Sequence, residues 1–254
     1  MKSFSSEFAV NYATYSFGYC QYAQLEHPDE LDDVYALGYL PYSANPAQKD
    51  LLFYRARSLR VDLTHQTLNK NGRYLERQFD QQVPTHFEVV EKAVYLLRFD
   101  PEVRYAQCEQ FMKQRFEAAY LQRDRFDYIL AQPCFNRVAL FYSGECLLAI
   151  IFLCQGIVSL HYWFAFYEAE SVARYSPGRY FMQKCVAWAR SQGMRYVYLG
   201  TAYGEKSHYK FMSHASGVEF WDGAIWNSDT ELLKRRLTED PERIFVGKDQ
   251  FKQA

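Results

Sequence analysis

From Phe135 onward the chain falls into apolar runs broken by short turn signals. Residues 136–142 read as a strand, 143–145 as a turn, 146–154 as a second strand, 155–156 as a second turn and 157–167 as a third strand. Two successive antiparallel hairpins are the simplest arrangement of three strands joined so tightly. Ser176-Pro177-Gly178 then opens a helix over 179–191 with Phe181, Cys185, Val186, Trp188 and Ala189 on its apolar face, and Gln192-Gly193 stops it. Residues 194–200 return as a buried strand, so the order is β–β–β–α–β.

The first half is less regular. Residues 27–38 predict a short helix, with Pro28 and acids in its first turn and Gly38 at its end. Alternation over 50–63 predicts strand, and 69–79 predicts a helix or turn-helix. The longest helical candidate is 99–122, where Phe99, Val103, Cys108, Phe111, Met112, Phe116, Ala119 and Tyr120 approximate a helical stripe. The chain carries no internal repeat or low-complexity segment.

Composition changes this picture in three places. With 254 residues, 49% hydrophobic and 23% charged, the chain suits one large globular domain or two small ones. Aromatics reach 18%, including 22 Tyr and 20 Phe, which suits half-buried strands and clefts, although a typical aromatic simply packs. The net charge of −1 means that contact with nucleic acid requires a local basic surface. Residues 55–77 offer one, with Arg55, Arg57, Arg60, Lys70, Arg73 and Arg77 against Asp62 and Glu76, whereas residues 1–34 are acidic. Six cysteines lie mostly in apolar runs without CxxC spacing, so they read as buried thiols and no metal site is expected. The first residues lack an apolar signal core, and the longest apolar run, 146–154, is too short to span a bilayer as a helix, so a cytoplasmic location is expected.

A strand, a turn and a helix start at 174–180 would place backbone N–H groups and a positive dipole end at one point. The C-terminal half carries motifs of the same kind in a fixed order: Tyr175-Ser-Pro-Gly-Arg-Tyr180, then Gly193-Met-Arg-Tyr-Val-Tyr-Leu-Gly200, then His208-Tyr209-Lys210-Phe-Met212, then Val218-Glu219-Phe-Trp-Asp-Gly-Ala-Ile-Trp226. Upstream lie Leu37-Gly38-Tyr39, the run Phe53–Leu63 and Leu68-Asn-Lys-Asn-Gly-Arg73. This ordered set resembles the arginyl/leucyl-tRNA–protein transferase family. The resemblance implies a GNAT-like acyltransferase core, a mixed and largely antiparallel sheet flanked by helices over 86–254, preceded by an N-terminal α/β region with the basic segment over 1–85. The family's N-terminal cysteine pairs have no counterpart in Ser43–Asp50, so neither a metal nor an iron–sulfur cluster is expected.

The resemblance further implies transfer of an amino acid from charged tRNA to the N-terminal α-amine of a protein or peptide. Aminoacyl-tRNA is then the co-substrate, and no cofactor is needed because the donor is already an activated ester. It implies Tyr198, Gly200, Tyr209 and Lys210 as catalytic, Ser176, Gly178, Leu199, Tyr203 and Glu219 as substrate-binding, and Arg55, Arg57 and Arg73 as tRNA-binding. Read from the residues alone, Tyr198 also fits the core and Lys210 also fits a solvated surface. Two other functions stay open. Acetyl transfer from acetyl-coenzyme A fits the element order, but Pro177 removes a backbone donor from the helix-opening turn. A non-catalytic binding module fits the incomplete motifs.

Overall fold

The computed structural model describes residues 1–11, 16–47, 51–114, 121–168 and 175–251. Strands β1 (Lys2–Asn11) and β2 (Ser16–Gln24), helix α1 (Leu31–Ala36) and strands β3 (Tyr39–Pro41) and β4 (Leu52–Arg55) come first. The four strands form an antiparallel sheet in the order β1-β2-β4-β3. Then follow β5 (Ser58–Asp62), β6 (Thr67–Leu68), α2 (Lys70–Gln82), β7 (His86–Glu91), α3 (Lys92–Arg98), α4 (Pro101–Lys113) and α5 (Arg123–Ala131). The hairpins predicted after residue 135 are β8 (Arg137–Ser143), β9 (Cys146–Gln155) and β10 (Ser159–Tyr167), paired antiparallel in succession. Helix α6 (Pro177–Ser191) and strand β11 (Tyr196–Thr201) complete that unit. The chain ends with β12 (His214–Ser216), β13 (Val218–Trp221), β14 (Trp226–Asn227) and α7 (Thr230–Phe251).

Eight strands make one mixed sheet in the order β14-β13-β5-β11-β10-β9-β8-β7, flanked by helices. Side chains alternate across it. Ala139, Phe141, Ala149, Ile151 and Leu153 pack on the face that carries Phe79 of α2, Phe181 and Cys185 of α6 and Leu233 and Leu237 of α7. Val138, Leu140, Ile150 and Phe152 pack on the opposite face with Tyr95, Cys108, Phe126 and Ile129 of α3, α4 and α5. A third cluster joins the small sheet and α1 to this one through Ala23, Tyr35, Phe53, Cys134, Cys154 and Tyr198. Much of the aromatic excess is therefore core.

The single helix expected over 99–122 is not continuous: α4 ends at Lys113, capped at its start by Asp100, and α5 begins afresh at Arg123. Phe116, Ala119 and Tyr120 of the expected stripe lie outside the described residues, as does Arg174 of the helix-opening turn. The expected boundary at 85/86 runs through the large sheet, because β5, which precedes it, is hydrogen-bonded between β11 and β13. Among the cysteines, Cys108, Cys134, Cys154 and Cys185 are buried, but Cys146 is exposed at the start of β9, where its strand has just left the turn. Among the described residues, no helix is long and apolar enough to cross a membrane.

Phe152 is fully buried, with its ring centroid 4.4 Å from that of Phe135 and 5.1 Å from that of Phe166. Phe152→Ala is expected to cost about 3–5 kcal/mol, from lost transfer energy plus the cavity left behind. Urea unfolding of the two proteins measures it, and a change below about 1 kcal/mol would contradict this account of the core.

Candidate active site

Strands β10 and β11 run parallel for only three residue pairs, Ser159–Tyr196, Leu160–Val197 and His161–Tyr198. Beyond that point they part. β11 stays with its other neighbour, pairing Thr201 with Ser58 of β5. β10 stays with β9 but shifts register between Tyr162 and Phe164, a bulge at Trp163. A bulge bends its strand and leaves one residue outside the ladder. Here it also reverses the facing of the strand. Leu160 and Tyr162 belong to the α6 side of the sheet, whereas Phe164 and Phe166 pack on the α4 side.

The gap between the parted strands is a cavity of about 250 Å³. Residues His161–Ala165 line one side, Leu199, Gly200 and Thr201 the other, and Tyr209 and Lys210 close it from the following 3-10 turn, with Met182 of α6 and Tyr54 of β4 at its margins. Gly200 has φ +78°, a left-handed backbone that disfavours any other residue. The position where its Cβ would stand is 3.5 Å from Lys210 Nζ.

Lys210 is half-buried, with its ammonium turned inward, donating to the Thr201 carbonyl at 2.6 Å. Burial pulls its pKa down to about 8. His161, 2% exposed, lies within hydrogen-bond distance of the Tyr35 hydroxyl through Nδ1, at 3.3 Å. Burial, with the Lys210 charge in support, drives its pKa down to about 3, so the imidazole is neutral. The cavity is thus walled by aromatic rings and open backbone and holds one titratable amine beside a neutral imidazole.

Of the residues singled out in the sequence, Leu199, Gly200, Tyr209 and Lys210 meet at this cavity. The others stand elsewhere. Tyr198 is fully buried outside the cavity lining, stacked on Tyr35 with ring centroids 4.9 Å apart. Ser176 lines a separate hollow with Asn71, Tyr74 and Arg179 at the start of α6, and Gly178 faces the Tyr167 hydroxyl, 2.6 Å from where a Cβ would be. Glu219 accepts from Arg60 Nε at 2.6 Å within the sheet. Arg73 donates to the Leu68 carbonyl beside α2. Arg55, Arg57 and Tyr203 line a second groove with Tyr19, Trp221 and Arg236. Trp163 and Tyr54 were not singled out in the sequence. The run Tyr162-Trp163-Phe164 is apolar throughout, so the bulge leaves no mark in the alternation that could have exposed it.

The start of α6 is a poor anion cradle. Ser176 is the one described non-glycine residue with positive φ, at +51°. Pro177 has no N–H, and Arg179 N already donates to the Ser176 carbonyl at 3.0 Å. Two of the first three backbone donors are therefore missing or engaged.

No curated protein matches the chain. Among solved structures it is similar to the C-terminal domain of a proposed lysylphosphatidylglycerol synthetase from Agrobacterium fabrum, with 17% identity over 68% of this chain and a TM-score of 0.43. It is also similar to L-PGS from Bacillus licheniformis, with 15% identity over 70% and a TM-score of 0.39, and to FemX, with 10% identity over 70% and a TM-score of 0.43. The matched region spans 51%, 50% and 61% of those three chains. The family that matches is the acetyltransferase (GNAT) domain rather than the arginyl/leucyl-tRNA–protein transferase that the motifs resemble. Its match extends over residues 66–210, from just before β6 to Lys210, and so takes in both parted strands, α6 and both sides of the cavity; the chain belongs to the GNAT acetyltransferase-domain family.

Proposed function

We propose that this chain transfers an aminoacyl group from the 3′ end of a charged tRNA to an amine, with the N-terminal α-amine of a protein or peptide as acceptor. The observation that carries the reading is the cavity between β10 and β11, where open strand backbone faces the buried Lys210 ammonium. The motif order from Tyr175 to Trp226 supports the tRNA-bound donor and the α-amine acceptor. Against acetyl-coenzyme A stands the start of α6, with a proline and an engaged N–H where a pyrophosphate needs free donors.

In this reading the neutral acceptor amine attacks the ester carbonyl seated between the strands. A C–N bond forms, the carbonyl oxygen takes the negative charge, and collapse breaks the C–O bond to the ribose. The proton lost by the amine ends on the departing ribose oxygen. Lys210 commits one of its three N–H groups to Thr201 and turns the others to the cavity, where they stabilise the oxyanion or the leaving oxygen. The amine and ester are held together between the strands, which lowers the entropic part of the barrier. His161, neutral and held at Tyr35, adds no second charge beside the Lys210 ammonium.

Incubating the protein with individually charged, labelled tRNAs and a library of peptides tests the reading. Label is expected to move to peptide from some charged tRNAs, and ribonuclease is expected to abolish the transfer. Absence of transfer from every charged tRNA, together with clear thermal stabilisation by millimolar coenzyme A, would establish acetyl transfer instead. Lys210→Ala is expected to lower kcat/KM by about 100-fold or more, the usual cost of losing one oxyanion donor, with the melting temperature used to confirm that the variant folds.

The pH profile supplies an independent check. The ammonium of Lys210 is present below its pKa of about 8 and is lost as pH rises through it, so kcat/KM is expected to turn downward near pH 8. Lys210→Arg keeps the charge, because a guanidinium does not deprotonate, and should move the falling limb out of range. An unchanged limb in the arginine variant would remove Lys210 from the mechanism.

A further inference from the structure

Beside the cavity lies a second groove of about 310 Å³ that the transfer chemistry does not use. It is built by β2, β4, the β13–β14 turn and α7, and three arginines converge on it: Arg55, Arg57 and Arg236. Their charges are unequally spent. Arg57 is fully occupied, with both terminal nitrogens 2.9 Å from the Asp240 carboxylate. Arg55 has no carboxylate among the described residues. Its guanidinium lies 4.4 Å from the Tyr39 ring centroid and 5.2 Å from that of Trp221, and its Nη1 donates to Gln21 at 2.7 Å. Arg236 reaches the Asp222 backbone carbonyl at 3.4 Å. The Asp222 carboxylate also lines the groove, but it accepts from the Ala224 and Ile225 N–H groups, both at 3.0 Å.

Two further features fit a ligand. Tyr19 and Tyr203 line the groove while 60% and 46% exposed, which is unusual for large rings in a chain that buries so many. Two buried donors lack an acceptor among the described residues, Arg55 Nε and Trp221 Nε1, and Trp221 is only 7% exposed. Exposed rings beside unpaired guanidinium groups are the means by which proteins hold single-stranded nucleic acid, bases on the rings and phosphates on the cations. The position also fits. Tyr54 borders the acyl cavity and Arg55, next to it on β4, lines the groove, and likewise Thr201 borders the cavity and Tyr203 the groove.

We propose that this groove binds the single-stranded 3′ end of the donor RNA, with bases on Tyr19 and Tyr203 and phosphates on Arg55 and Arg236. The proposal rests on the transferase reading for the identity of the strand, but binding does not require the chemistry. An uncharged, fluorescently labelled RNA single strand ending in CCA therefore serves as the probe, with fluorescence anisotropy as the readout. Binding is expected to weaken steeply with salt and to fall about tenfold or more in Tyr19→Ala and in Arg236→Ala. Tyr19 is exposed, so its variant tests the groove without threatening the fold.

Binding that Tyr19→Ala and Arg236→Ala leave unchanged, or its absence at low salt, overturns the groove proposal, even if aminoacyl transfer is observed. Groove-dependent RNA binding without transfer from any charged tRNA upholds the groove and removes the transferase reading. A mononucleotide that competes as well as the whole strand would also overturn the proposal, since it would reduce the groove to a nucleotide pocket.

Discussion

The structure turns on a competition for the edges of one strand. β11 has β10 on one side and β5 on the other, and it cannot follow both once they diverge. It keeps β5, through Thr201 and Ser58, and gives up β10 after three pairs. β10 keeps β9 by way of a bulge. The unpaired backbone left between them would be costly if sealed in the core, because polar groups without partners are expensive to bury. Instead the space stays open, and the Lys210 ammonium enters it to bond the Thr201 carbonyl. The cavity is thus a consequence of how the sheet is shared among its strands.

The same sharing ties the two ends of the chain to the site. β5 continues from β4 through Ala56 and Arg57, and the Arg57–Asp240 pair clamps α7 against that junction. Asp240 also accepts from Gly204 N at 2.8 Å, on the connection that carries Lys210. A bidentate pair of this kind, largely shielded from solvent, fixes geometry more than it adds stability. The small sheet meets the large one through Tyr35, which stacks on Tyr198 and holds His161. Residues far apart in sequence therefore support His161 and Lys210, which line one cavity.

Burial explains why the two titratable groups at the site differ in kind from their solvated counterparts. Both cationic forms are disfavoured by desolvation, and each charge would repel the other at short range. The outcome is division of labour: the imidazole stays neutral over the whole physiological range, and the amine retains its proton near neutrality while poised to lose it slightly above. An isolated surface lysine would lack this sensitivity.

Much of this was legible in the sequence, and the rest was not for definite reasons. The hairpins β8–β9–β10, helix α6 and strand β11 follow from local periodicity and turn residues, which need no knowledge of partners. Motif order was enough to bring Leu199, Gly200, Tyr209 and Lys210 forward, and these line one cavity. Tyr198 was drawn in by the same motif, yet its ring is buried against Tyr35 and takes no part in lining the cavity. The bulge at Trp163 was invisible because every residue around it is apolar. The insertion of β5 between β11 and β13 and the gathering of Tyr19, Arg55, Trp221 and Arg236 were decided only in three dimensions. Periodicity reports which face of a strand is buried, but the choice of neighbour depends on contacts between segments far apart in the chain, and it is that choice which opens the cleft and aligns the groove beside it.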